Sequence, residues 1–163
     1  MGVDPGLVAT GFAVLEAAPG AVVVLDVGVI TTAATQSLEA RLNAIHRAVL
    51  QVIETHAPAF LVVEDLYTEY KFPRTAILMG HARGVIYLAA RQLGVAVTAL
   101  APSEVKRAVT GSGAAGKAQV QRSVQTLLGL RDQPRPSHVA DALGLAVTGL
   151  ARVTGITPKR AAR

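Results

Sequence analysis

The sequence predicts an α/β domain: one mixed five-stranded sheet, made of an antiparallel three-strand meander plus two parallel strands, flanked by helices. Three observations carry this. Strand-like segments come first, at residues 1–4, 11–16 and 21–30, with only the turn Ala17-Ala18-Pro19-Gly20 between the second and third. Helical periodicity then alternates with short apolar strands at 59–64 and 95–100, the pattern that generates parallel neighbours. The first of these, AFLVVE, is almost wholly apolar, as a strand covered on both faces should be.

Between and after the strands, residues 37–56 carry Leu38, Leu42, Ile45, Val49 and Val52 at spacings of four, three, four and three, an amphipathic helix with Ser37 placed to cap it. Residues 74–93 read as a helix, with Gly80 and Gly84 on one face, where small side chains permit close approach to the sheet or to a second subunit. Shorter helices are expected near 102–109 and 117–128, and a final one from about Pro136 to Val153. Residues 1–156 form one expected domain. Pro158, Lys159, Arg160 and Arg163 mark a basic tail over 157–163, expected to fray.

Composition narrows the function. The chain has 163 residues, 51% of them hydrophobic and 17% charged, which excludes a disordered polyelectrolyte. It has no cysteine, so neither a disulfide framework nor a thiolate metal site is possible. The Asp-Pro-Gly turn within the first six residues leaves no room for a signal peptide, and the most apolar helical stretch, 76–90, is interrupted by His81 and Arg83. A soluble cytoplasmic protein is the expectation. There are 16 Lys and Arg against 11 Asp and Glu, an excess that attracts phosphate backbones without reading sequence.

Against that basic background, a few acidic groups stand in segments that otherwise read as core: Asp4 in MGVDPG, Glu64 in FLVVED, and Asp141 with His138 in SHVADALGLAV. An ionised carboxylate among apolar neighbours is costly without a cation or hydrogen-bond partner. Asp4 ends the first strand and Glu64 the fourth, so parallel neighbours would bring the two together at the carboxyl edge, where such sheets gather ligands. His138 and Asp141, three apart on a helix, share one side, while Val139, Leu143, Val147 and Leu150 line another that can dock on the sheet. Bridging carboxylates of this kind suit two-metal phosphodiester hydrolysis with Mg²⁺ or Mn²⁺. If the three acids hold metal, 16 basic residues face only 8 acidic ones elsewhere.

Gly111-Ser-Gly-Ala-Ala-Gly116-Lys117 imitates a phosphate-binding P-loop, but its eighth position is Ala118 where Ser or Thr should hold Mg²⁺, and a helical rather than strand-like segment precedes it. An ATPase is rejected on both grounds.

The blocks GVDPG, Thr10-Gly11, VVEDLY, HARG, PSEVKRAVTGSGAAGK and HVADALGLAV, in this order and covering nearly the whole chain, resemble the RuvC family of bacterial Holliday-junction resolvases. The resemblance implies a ribonuclease-H-like fold, a homodimer, and paired incisions across a four-way DNA junction in recombination and repair, alongside the branch-migration proteins RuvA and RuvB. It implies catalytic, metal-binding roles for Asp4, Glu64 and Asp141, with His138 at a fourth position that is often Asp. An imidazole there removes a negative charge and favours Mn²⁺ over Mg²⁺; it can ligate or carry a proton. Fewer apolar residues precede the first block than is usual in the family, so either a truncated first strand or a true start upstream is expected. Lys106 and Lys117 match basic positions directed at the scissile region, and Tyr67 an aromatic able to stack on an unpaired base. Lys71, Arg74 and Arg83 are further candidates for contact with DNA or a second subunit. A ribonuclease-H-like enzyme on another nucleic acid, and a non-catalytic junction binder, are the competing readings.

Overall fold

The computed structural model describes residues 1–19, 21–66 and 73–155. Along the chain run β1 (Gly2–Asp4), β2 (Ala9–Ala18), β3 (Ala21–Thr31), α1 (Leu38–His56), β4 (Phe60–Glu64), α2 (Pro73–Gln92), β5 (Ala96–Leu100), α3 (Pro102–Thr110), α4 (Lys117–Leu128) and α5 (Ser137–Thr154). One sheet takes the order β3-β2-β1-β4-β5. β1, β2 and β3 pair antiparallel, while β4 pairs parallel to both β1 and β5. This is the mixed sheet expected from the sequence. β2 extends two residues further at each end than its apolar run suggested, because its full length pairs with β3, with a bulge between Val14 and Leu15. No helix among the described residues is long and apolar enough to cross a membrane.

Side-chain alternation sends the two sheet faces to different helices. Val3, Leu61 and Val63 point into a core with Ile45, Val49 and Ile53 of α1 and Ile86 of α2. On the opposite face, α5 lies on β1, β2 and β4, with α3 and α4 packed outside it. A Cβ on Gly2 would stand 2.3 Å from the Ala142 carbonyl oxygen, so β1 and α5 approach more closely than any side chain allows. α5 is buried at Val139, Ala140 and every position from Ala142 to Leu150. It is thus a central helix rather than the one-sided amphipath its apolar stripe described.

Two expectations for α1, its cap and the phase of its stripe, need correction, and one of the two alternatives for α2 is removed. Ser37 occupies the N-cap of α1 with extended backbone, but its side chain makes no capping bond; it turns to Glu39, whose carboxyl it holds below the usual range. The stripe of α1 that is buried is Arg41, Ile45, Val49 and Ile53, rotated from the 38/42/45/49/52 stripe, and Leu38 is exposed. The small-residue face of α2 does not pack on the sheet: Gly84 has open space before it, and Ile77 and Leu88 on the same side are 61% and 50% exposed. The basic tail over 157–163 lies outside the described residues.

Candidate metal centre and nucleic-acid interface

Strand register sets the first two carboxylates. Gly2 pairs with Val62 and Val3 with Val63, so Asp4 and Glu64 follow at the same carboxyl edge of two adjacent parallel strands. Both lie two residues on from positions that touch α5: Gly2 stands against Ala142, and Val62 against Gly149. With a side-chain period of two, Asp4 and Glu64 therefore project to the α5 face.

The helix supplies the rest. The α5 N-terminus reaches this edge because Gly11, paired with Asp4 on β2, offers no side chain; a Cβ there would meet the His138 carbonyl oxygen at 2.1 Å. His138 Nδ1 consequently lies 2.8 Å from Asp4 Oδ2. Asp141, one turn on, is half-buried between the buried positions Val139–Ala140 and Ala142–Leu150.

The electrostatics express the crowding of acids. Burial pushes the Asp4 carboxyl up to about 6, the His138 hydrogen bond opposing and the Asp141 charge adding to the shift. Burial, then the charges of Asp4 and Asp141, push Glu64 up to about 7, against the pull of Lys106 and Lys117. Asp141 is also raised, by burial, with Lys117, His138 and Lys106 opposing. The three carboxylates and two lysines thus share one electrostatic site, although Lys106 on α3 and Lys117 at the start of α4 make no ion pair with them among the described residues.

Desolvated oxygen donors with no direct cationic partner fit a hard divalent ion. Among the described residues, no three His, Asp or Glu side chains already cage one point as they stand. The Asp4–His138 bond satisfies two of the donors internally. An apolar cleft of about 570 Å³ between β3 and the segment before α5, lined by Val24, Val27, Leu130 and Pro134, contains none of the four residues. A nucleic-acid backbone crossing an open sheet edge needs no enclosing cavity.

Of the other sequence candidates, Arg74 is exposed in the first turn of α2. Arg83 is engaged within the chain: its Nη2 donates to Asp65 Oδ1 at 3.0 Å and to the Tyr87 hydroxyl at 2.7 Å, and its guanidinium lies 4.9 Å from the Tyr87 ring centre. Tyr67 and Lys71 lie outside the described residues. The P-loop imitation is resolved as expected, since α3 precedes it and Lys117 opens α4. Sequence reasoning missed Thr10, Thr32 and Arg41, which hold the turn after Asp4; the legible signal was a charged residue in phase with the Ile45, Val49 and Ile53 stripe.

Residues 1–149 match the family model described as crossover junction endodeoxyribonuclease RuvC. The chain belongs to the RuvC family. It is 42% identical over 149 residues to the crossover junction endodeoxyribonuclease RuvC of Rhodopirellula baltica, covering 91% of this chain and 84% of that protein. To the Moorella thermoacetica RuvC it is 44% identical over 147 residues, covering 90% and 87%. Its fold matches a structure of T. thermophilus RuvC in complex with a Holliday junction substrate, with a TM-score of 0.86, 35% identity and 96% of each chain covered. The ribonuclease-H-like arrangement expected from the sequence is the arrangement of that RuvC structure.

Proposed function

We propose that this chain is a metal-dependent endodeoxyribonuclease that resolves four-way DNA junctions by paired symmetrical nicks, in recombination and repair. The observation that carries the reading is the meeting of Asp4, Glu64, Asp141 and His138 at one sheet edge, with Lys106 and Lys117 beside them, in a RuvC-family chain. Asp4, Glu64 and Asp141 are the carboxylates that hold two divalent ions, Mg²⁺ or Mn²⁺. Such ions, when bound, supply Lewis acidity on both sides of an in-line phosphodiester displacement.

The protein's own part follows from its donors. Raised pKa values mean that the bare site resists carrying three negative charges at once, so cation binding and carboxylate ionisation reinforce one another. Lys106 and Lys117, compact cations near that edge, hold the DNA backbone in register with it. His138, tied to Asp4 through Nδ1, leaves Nε2 to face a ligand or a proton. We expect the imidazole to favour Mn²⁺, with a His138→Asp variant regaining ground in Mg²⁺. The exposed Ile77, Gly84 and Leu88 side of α2 supports a homodimer, which two symmetrical cuts require. Work alongside RuvA and RuvB remains the expectation that family membership raises.

The test pairs a synthetic mobile four-way junction with a linear duplex of matched sequence, in Mg²⁺, Mn²⁺ or chelator. Paired nicks in the junction alone, dependent on metal, are expected. Asp4→Asn should lower single-turnover cutting ~10³-fold, the loss of several kcal/mol of transition-state stabilisation, while junction binding persists. Cutting of an RNA–DNA hybrid instead, or binding without cuts in either metal, would replace the proposal with one of its two competitors.

A further inference from the structure

The turn that follows Asp4 is held at three points. Thr10 Oγ1 donates to the Gly6 carbonyl at 2.7 Å and accepts from the Gly6 amide at 3.3 Å. The Thr32 amide donates to the Val8 carbonyl at 3.1 Å, and the Thr32 hydroxyl to the Leu7 carbonyl at 2.5 Å. Behind Thr32 stands Arg41 of α1, whose Nε donates to Thr32 Oγ1 at 2.8 Å.

Arg41 is an odd residue for its place. It is only 9% exposed and lies in the buried stripe of α1, where an aliphatic side chain would pack. No carboxylate pairs with it among the described residues, and its Nη2 is buried without a partner. A guanidinium removed from water without a counter-charge costs stability that packing does not return. What it supplies is directional. A threonine hydroxyl has one proton, and when Nε–H occupies its lone pair that proton is free only to point away, here at Leu7. Arg41 therefore sets the hydroxyl rotor, and the rotor sets the turn.

We propose that Arg41 is a positioning residue for the metal centre, acting through Thr32 and the turn at residues 5–8 to fix where the Asp4 carboxylate stands. This rests on the reading of Asp4 as a metal-binding carboxylate. The relay touches neither DNA nor ion, so it controls metal affinity and cutting without contributing to junction binding.

The experiment uses the full chain with Arg41→Leu, Thr32→Val, Thr32→Ser and, as reference, Asp4→Asn. Mn²⁺ binding is read from the electron-spin-resonance signal of the free ion, junction binding in chelator by fluorescence anisotropy, folding by thermal melting, and cutting under single turnover. Loss of a partner bonded directly to a ligand typically costs about 10–100-fold in metal affinity or activity, and a relay one step further back is set at the low end of that range. Arg41→Leu and Thr32→Val are each expected to weaken Mn²⁺ binding and slow cutting by about tenfold, with junction binding in chelator changed less than ~2-fold. Thr32→Ser, which keeps the hydroxyl, should restore both, and the double variant should be no worse than either single one, because the two residues act in series. Wild-type Mn²⁺ binding and cutting in folded Thr32→Val would overturn the proposal, whatever Arg41→Leu does to folding. So would losses that track melting temperature and that Thr32→Ser fails to restore. If Asp4→Asn itself retained Mn²⁺ binding and cutting, the reading of the site would fall, and the proposal with it.

Discussion

The two faces of this sheet bury charge of opposite sign and to opposite ends. The α5 face gathers Asp4, Glu64 and Asp141 at the carboxyl edge, where each is destabilised as an anion. Among the described residues of the α1/α2 face, Arg41 is the one charged residue that is buried, and it sits under the turn after Asp4. One residue of register separates them: Val3 and Val63 are fully buried on one side, and Asp4 and Glu64, the next residues along, stand on the other. Backbone position alone thus makes nothing catalytic. The α5 face can host carboxylates because the sheet edge opens there toward Lys106 and Lys117, and the α1/α2 face can host Arg41 because the Thr32 hydroxyl accepts from its Nε.

That contrast breaks most visibly by moving a carboxylate across the sheet. Val63→Asp places an anion in the α1/α2 core with nothing to compensate it, and a loss of about 3–5 kcal/mol is expected by urea unfolding. Glu64→Gln, one residue on, should leave the unfolding midpoint unchanged or raised while removing activity. Equal destabilisation by the two would erase the distinction between faces. A smaller effect is expected from Gly11→Ala. The new Cβ meets backbone of His138, which cannot swing aside, so α5 must lift from β2 at about 1–3 kcal/mol. Cutting should fall further than stability does, because the lift separates His138 and Asp141 from Asp4.

The smallest expected effect concerns pH and metal. Asp4, Glu64 and Asp141 have folded-state pKa values raised above their ordinary ones, to about 6 for Asp4 and about 7 for Glu64. The native state therefore binds protons more tightly than the unfolded chain, and the contribution of this site to stability falls as pH rises from about 4 through about 7. In chelator, the melting temperature should carry that decline. Saturating Mn²⁺ should raise it more at pH 8 than at pH 5.5, with a difference of about 1 kcal/mol, or ~2–4 °C. An identical lift at both pH values would mean that the ion binds elsewhere.

How far the sequence spoke differs between these regions. Asp4 and Glu64 were legible because strand ends are short and the carboxylates break apolar runs; their adjacency then followed from parallel pairing. His138 and Asp141 were legible from helical spacing. The structure brings all four to one edge, and DNA and metal roles for them rest on the proposal above. Gly11 appeared only as a motif residue, and its reason, the approach of α5, needed three dimensions. Arg41 escaped because the stripe of α1 was phased on its leucines, and Leu38 turned out exposed. The role suggested for Arg83 did not anticipate its partners: Tyr87 stands one turn on in α2, a spacing the sequence does show, whereas Asp65 comes from another part of the chain and left no periodic trace. Long-range polar pairs of that kind have no local signature.

α5 is at once the central packing element of one sheet face and the carrier of two of the four site residues, and it comes last among the described elements. During synthesis Asp4 and Glu64 emerge early, but the constellation cannot assemble until residues 137–154 have left the ribosome and docked. A nascent or partly folded chain is thereby disarmed. On the proposed reading of the site, the helix that completes this core also completes the cutting centre, so the two form in one step.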